Sequence, residues 1–129
     1  MVDMVVLPDD NSVVSSSADR SVSVYDFRVA STTLSSATLS FMHSSLPSSL
    51  TLSPTSDSQI ITGSYDGVAR LWDLRSTKSA VASFKVWNGG KKILSVDATS
   101  GSGSGIVGVG GEGGLELWRV GKTMTATAA

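Results

Sequence analysis

No cysteine occurs in the 129-residue chain, and histidine occurs once. The first absence excludes disulfide frameworks, cysteine-ligated zinc, iron–sulfur clusters and thiol catalysis, and agrees with a reducing compartment. With one histidine and scattered carboxylates there is no metal-ligand cluster, and a serine nucleophile would have only His43 as its base. An excess of either charge is also lacking, since 10 Lys+Arg stand against 11 Asp+Glu for a formal net charge of −1. A dedicated nucleic-acid binder needs a basic face to neutralise phosphates and is therefore disfavoured. Apolar runs extend only a few residues, too short for a membrane-spanning helix. The opening Met1-Val2-Asp3-Met4-Val5-Val6-Leu7-Pro8 has neither a basic leader nor a long apolar stretch, so no secretory signal is visible.

What is present points to β structure. Helix formers are sparse, while serine (25), glycine (13), threonine and valine fill the chain in short blocks. Positive mean hydropathy with regularly spaced Val, Ile, Leu and Trp argues against a disordered serine-rich linker. An internal repeat orders these blocks. Val13 to Arg28, Ile60 to Arg75 and Ile106 to Val120 align without gaps. Asp19, Asp66 and Glu112 occupy one position of that alignment, and Tyr25, Trp72 and Trp118 another, each aromatic six residues after its acid.

Each segment reads as a β-hairpin, an apolar run followed by a Gly/Ser/Asp cluster and a second run with β-branched or aromatic residues. Upstream, Met4 to Pro8, Leu46 to Pro54 and Ile93 to Ala98 supply a further strand to each unit. Downstream, Ala37 to Met42 and Ala80 to Val86 supply a fourth, with Phe41 and Phe84 in matching positions. Four antiparallel strands in about 45 residues suit a propeller blade. The expected fold is all-β, about three four-stranded blades, with units at 1–43, 44–88 and 89–120 and a flexible tail at 121–129.

The run Ile60-Ile61-Thr62-Gly63-Ser64-Tyr65-Asp66-Gly67-Val68-Ala69-Arg70-Leu71-Trp72-Asp73 closely resembles the WD40 repeat, with its Gly-Ser-x-Asp turn and terminal Trp-Asp. His43, eleven residues before Pro54, resembles the opening of the same repeat. The first unit carries Tyr25-Asp26 in place of Trp-Asp, and the third carries Trp118-Arg119 with Glu112 in place of Asp. In this family those positions imply a buried relay: an indole N–H bonds a hydroxyl, the hydroxyl a histidine, and the histidine the turn aspartate. Trp72, Thr62, His43 and Asp66 are the candidates, with Ser64 as a second hydroxyl on the same strand. The first unit offers Tyr25, Ser15 and Asp19 without a histidine. In the third, Gly108 takes the hydroxyl position and Trp87-Asn88 the region of the histidine, so no relay is expected. Since three blades cannot close a ring, the resemblance implies the C-terminal part of a larger, seven-bladed propeller.

A narrower resemblance lies in Ser79 to Trp87, Lys91 to Asp97 and Gly105 to Trp118, which are similar to the last blades of the fungal Ytm family of WD-repeat factors. That family acts in 60S ribosomal subunit assembly, and its animal counterparts belong to the PeBoW complex. The likeness implies a nuclear, nucleolar and nucleoplasmic protein that takes part in rRNA processing. It also implies docking on another WD-repeat assembly factor and on pre-60S particles, with no cofactor.

Other motifs have plainer readings. Gly108-Val109-Gly110-Gly111-Glu112-Gly113 fits G-x-G-x-x-G, but a strand rather than a phosphate-binding helix follows, so a hairpin turn is expected. Gly101-Ser102-Gly103-Ser104-Gly105 reads as a flexible connection. Function should then reside in surface loops carried by the propeller. Tyr65, just before the turn acid, is the candidate anchor for a protein partner, with Arg70 and Trp87 as further candidates. Lys91-Lys92 could touch RNA phosphate, although a solvated loop is the simpler reading. A second functional class, a substrate receptor of a cullin-type ubiquitin ligase, rests on Trp72-Asp73-Leu74-Arg75 and its partial echo Tyr25-Asp26-Phe27-Arg28. A third, a propeller enzyme, lacks any cluster of acids, bases or metal ligands.

Overall fold

A computed structural model describes residues 2–8, 12–26, 39–54, 58–100, 105–120 and 124–126. The described residues contain no helix; their strands form three antiparallel sheets of four strands each. The first sheet holds β1 (Asp3–Val6), β2 (Ser12–Ser16), β3 (Ser21–Asp26) and β4 (Leu39–Met42), paired in chain order. β5 (Pro47–Leu52), β6 (Gln59–Ser64), β7 (Val68–Asp73) and β8 (Ala82–Lys85) form the second in the same way. The third holds β9 (Ile93–Ser100), β10 (Gly105–Gly111), β11 (Gly114–Val120) and β12 (Met124–Ala126). Each sheet is a simple meander, because short connections between β-rich runs favour pairing with the sequence neighbour.

The first strands β1, β5 and β9 adjoin one another, and the sheets stack face to face from there. Alternation along the strands sends one set of side chains into each seam. Val14, Val22, Val24 and Phe41 of the first sheet meet Leu50, Ile60 and Trp72 of the second. Ile61, Ala69 and Leu71 of the second meet Ile93, Val96, Val107 and Val109 of the third. Complete burial of residues such as Ile60, Ile61 and Ile93 contributes about 1.5 to 3 kcal/mol each. Polar bonds cross both seams at matching places. Asp3 Oδ2 accepts the Leu50 amide at 2.9 Å, and Ser49 Oγ accepts the Val96 amide at 3.1 Å.

The first two hairpins centre on their acids: Val13 pairs with Tyr25, and Ile60 with Trp72. Asp19 Oδ1 accepts the Ser21 amide and Asp66 Oδ1 the Val68 amide, bracing the two turns alike. Gly67 there has φ 77°, and Arg20, at the same place in the first turn, is forced to φ 72° without glycine's freedom.

The third unit departs from the expected alignment. Val107, not Ile106, pairs with Trp118, because its hairpin is one residue shorter and turns tightly between Gly111 and Gly114. Glu112 consequently braces no turn of its own; its Oε1 accepts the Lys92 amide at 2.8 Å, tying the turn to the preceding loop. The tail expected at 121–129 also needs correction, since residues 124–126 form β12 against the edge of β11. An open strand edge offers unpaired N–H and C=O groups, and a three-residue strand suffices to take some of them. Within that tail, 121–123 and 127–129 fall outside the described residues, as do 101–104 of the glycine–serine connection and 37–38 of the expected fourth strand of the first unit.

Candidate protein-binding rim and its internal relay

β6 and β7 bring Thr62 and Trp72 onto the face turned towards the first sheet, and the connection after β4 delivers His43 to the same place. Trp72 Nε1 donates to Thr62 Oγ1 at 3.1 Å, and His43 Nε2 lies 2.9 Å from the same oxygen. His43 Nδ1 lies 2.9 Å from the Ser45 carbonyl. A carbonyl can only accept, so Nδ1 carries the imidazole proton and Nε2 accepts from the Thr62 hydroxyl. The donors therefore run in one direction, from Trp72 through Thr62 to His43 and on to Ser45. Phe41 stacks at a tilt on Trp72, 4.6 Å between ring centroids, and closes the site from the first sheet.

The expected last link, His43 to Asp66, is replaced. His43 turns its Nδ1 to the Ser45 carbonyl, while Asp66 is taken up by its own hairpin. Its Oδ2 pairs with Arg70 Nη2 at 2.7 Å and its Oδ1 accepts from the Ser64 hydroxyl. A guanidinium four residues along can engage both carboxylate oxygens, which one imidazole N–H cannot match. Burial works against ionisation of Asp66, but the hydrogen bonds from Arg70 and Ser64 outweigh it and hold the carboxyl below its ordinary pKa.

Burial, with the positive Arg70 nearby, pushes the pKa of His43 from 6.5 down to about 4, against the opposing effects of the Ser45 bond and Asp66. An unfolded His43 takes up its proton near 6.5 while the folded one stays neutral until about 4. The unfolded chain thus binds more protons in that window. Stability from this residue is whole above pH 6.5 and falls as the pH drops towards 4. The expected loss is about 2 to 3 kcal/mol, read as a lower urea midpoint at pH 4.5 than at pH 7.5. His43→Phe should be less stable at both values but show a flatter dependence. An unchanged slope would refute the assignment.

Among the described residues no equivalent relay is built in the third unit. The shortened hairpin puts Val109 rather than Gly108 where Thr62 stands, and neither has a hydroxyl. Trp118 Nε1 is accordingly buried without an acceptor among the described residues.

The surface candidates separate sharply. Trp87, expected as a partner contact, is 8% exposed and belongs to the core between the second and third sheets. Its amide donates to Gly67 O, and its ring lies so close to Gly113 that a side chain there would sit 2.4 Å from it. Arg70 is likewise committed to Asp66, its side chain 14% exposed. Tyr65 remains partly exposed at the hairpin tip, where Lys92 Nζ lies 4.7 Å over its ring. Lys92 and Glu112 complete a rim patch of one aromatic and two opposite charges spanning two sheets. In the sequence both stand among loop and turn residues; the packing of the 86–92 loop against the third hairpin sets Lys92 over Tyr65 and ties its amide to Glu112. Arg75, the arginine of the receptor-like signature, is highly exposed but folds back on Asp73, Nη2 to Oδ2 at 2.7 Å. Its hydrogen bonds hold the Asp73 carboxyl down to about 2. The described residues contain no cluster of three metal-ligating side chains and no helix long and apolar enough to cross a membrane.

The family model for the WD domain, G-beta repeat, matches residues 2–26 and 35–73. The chain is 53% identical over 122 residues to "Ribosome biogenesis protein YTM1" of Laccaria bicolor, covering 94% of this chain and 26% of that protein. Against the protein of the same name in Coprinopsis cinerea it is 45% identical over 120 residues, covering 93% and 26%. For "Ribosome biogenesis protein ytm1" of Aspergillus terreus the figures are 34% over 110 residues, 83% and 22%. The chain thus spans about a quarter of the length of these relatives.

Proposed function

The chain belongs to the WD40-repeat family, and from that membership we propose that it is a non-enzymatic scaffold that holds protein partners in 60S ribosomal subunit biogenesis and rRNA processing. The observation that carries this reading is the 53% identity to a ribosome biogenesis protein across 94% of the chain. The physical character of the rim supports it as well. Its side chains are either locked within the hairpins, as Asp66 and Arg70 are, or offered as a small mixed patch of Tyr65, Lys92 and Glu112. Such a patch suits recognition of another protein through preformed loops. It has no juxtaposed nucleophile and base. The partners we propose are a second WD-repeat assembly factor, in a complex of the PeBoW kind, and the pre-60S particle. The place of action is the nucleus, in nucleolus and nucleoplasm.

Affinity capture from a fungal nuclear extract tests the reading, with pre-60S factors expected among the captured proteins. A ligase adaptor in their place would overturn it. Tyr65→Ala should leave the denaturation midpoint nearly unchanged, within about 0.5 kcal/mol, because the ring stands at the surface. The same change should weaken capture about tenfold or more if Tyr65 anchors the partner. Equal capture by the variant and the parent would remove Tyr65 from the site.

A further inference from the structure

The loop that carries Lys92 is wedged between two hairpin turns, and glycines make the room on both sides. A Cβ at Gly67 would meet the Trp87 and Lys91 carbonyl oxygens at 2.8 Å each. On the other side, a side chain at Gly111 would collide with the Lys92 carbonyl and the Trp87 ring, and one at Gly113 with the same ring. Hydrogen bonds fix both ends of the loop. Gly67 O accepts the Val86 amide at 2.8 Å and the Trp87 amide at 3.3 Å. The Lys92 amide donates to Glu112 Oε1 at 2.8 Å, and the Glu112 amide donates in return to Lys92 O at 3.0 Å. The backbone beneath the Lys92 side chain is therefore set before any partner arrives.

The charges there are unevenly engaged. Arg70 and Arg75 each hold a carboxylate, at 2.7 Å in both cases. Lys91 and Lys92 are exposed, and neither forms an ion pair among the described residues. Glu112 commits one carboxylate oxygen to the Lys92 amide. Tyr65 draws Lys92 Nζ to 4.7 Å over its ring, and an ammonium held over a ring keeps N–H groups for a further acceptor. The patch lies over the seam between the second and third sheets, so both of its walls belong to this chain, and blades added at either end of the stack attach elsewhere.

We propose that Lys92, set over Tyr65, is the receiving site for an acidic side chain, Asp or Glu, of the protein partner; this rests on the scaffold reading above and names the partner's chemistry at that rim. Charge complementarity favours a carboxylate over RNA. A nucleic-acid strand brings a phosphate every few ångströms and is held by several cations together. Here Glu112 flanks the lysine, and the chain carries a formal net charge of −1. One carboxylate needs only one ammonium. At the crest of the loop, no described residue stands within 4 Å of a Cβ placed at Gly89 or Gly90, so a partner backbone can approach closely.

A short oligo-glutamate peptide is the probe, titrated into the isotope-labelled chain and followed by the NMR shifts of the Tyr65, Lys92 and Glu112 amides. Those three should move together, and their shifts should shrink as salt is added. Lys92→Gln should weaken binding about threefold to fivefold, the scale of one exposed charge pair, and Lys92→Arg should preserve it. Glu112→Gln should act in the opposite direction. Its amide oxygen can still accept from the Lys92 N–H while the repelling charge is gone, so the peptide should bind about twofold to threefold more tightly. Lys85→Gln, at an exposed position of β8, should change nothing. Equal binding by Lys92→Gln and the parent overturns the site, and so does tighter binding of a short oligouridylate than of oligo-glutamate. Affinity capture keeps the two readings apart. Pre-60S factors captured equally by the parent and Lys92→Gln would leave the scaffold reading and remove the acidic contact. Capture of none by the parent would overturn the scaffold reading, with the peptide titration still deciding the site.

Discussion

Replacing Trp72 by alanine should remove about 3 to 5 kcal/mol of folding stability, the range for emptying a buried aromatic site. Three losses coincide at this residue. Its ring, 6% exposed, fills the seam against Val14, Val22 and Phe41. The indole N–H is the first donor of the relay, so its removal leaves Thr62 Oγ1 with one partner fewer. Phe41 loses the ring on which it stacks. Trp72→Phe separates these contributions, because it keeps most of the apolar area and removes only the donor. That variant should lose about 1 to 2 kcal/mol. Urea denaturation followed by circular dichroism measures both. If alanine costs no more than phenylalanine, the packing account of this seam is wrong.

Gly63→Val should destabilise by about 3 kcal/mol or more, at or beyond the upper end of the usual overpacking range. The added carbons would enter space already held by Ile93 and Val96 of the neighbouring sheet. Relief by shifting the backbone is blocked on both sides, since β6 is bonded to β5 and β7. The seam itself would have to open. Gly110→Val is the control, because no described residue stands within 4 Å of a Cβ at that glycine. Its stability should stay within about 1 kcal/mol of the parent or rise slightly, as β-branched residues favour strands over glycine. Equal losses at the two positions would show that strand propensity rather than the notch decides the effect.

Much of this architecture was legible in the sequence because hairpins are local. Alternating apolar residues, acids at the turns and aromatics six residues later define strand, turn and strand within about 15 residues, and no distant partner is needed. The spacing of His43 and Trp72 likewise marked a buried polar site. Its last link was misread, because the choice between Asp66 and the Ser45 carbonyl depends on where Arg70 points, and spacing carries no such information. Trp87 was misread for a related reason. A tryptophan in a polar Asn-Gly-Gly-Lys-Lys context reads as a surface residue, yet the third hairpin folds its glycines onto the ring. The shorter third turn also escaped notice, since a gapless alignment hides a change of one residue in pairing.

By itself, then, the sequence determined the class of fold, the three repeated units and the turns of the first two, and its lack of cysteine leaves this chain no thiol or disulfide. These depend on residue types and on contacts between near neighbours along the chain. Only the tertiary structure decided which carboxylate braces what, which tryptophan is buried, and that Lys92 comes to rest on Tyr65. Those outcomes arise where separate sheets meet, through competition among partners remote in sequence, and the strongest geometry in three dimensions wins it.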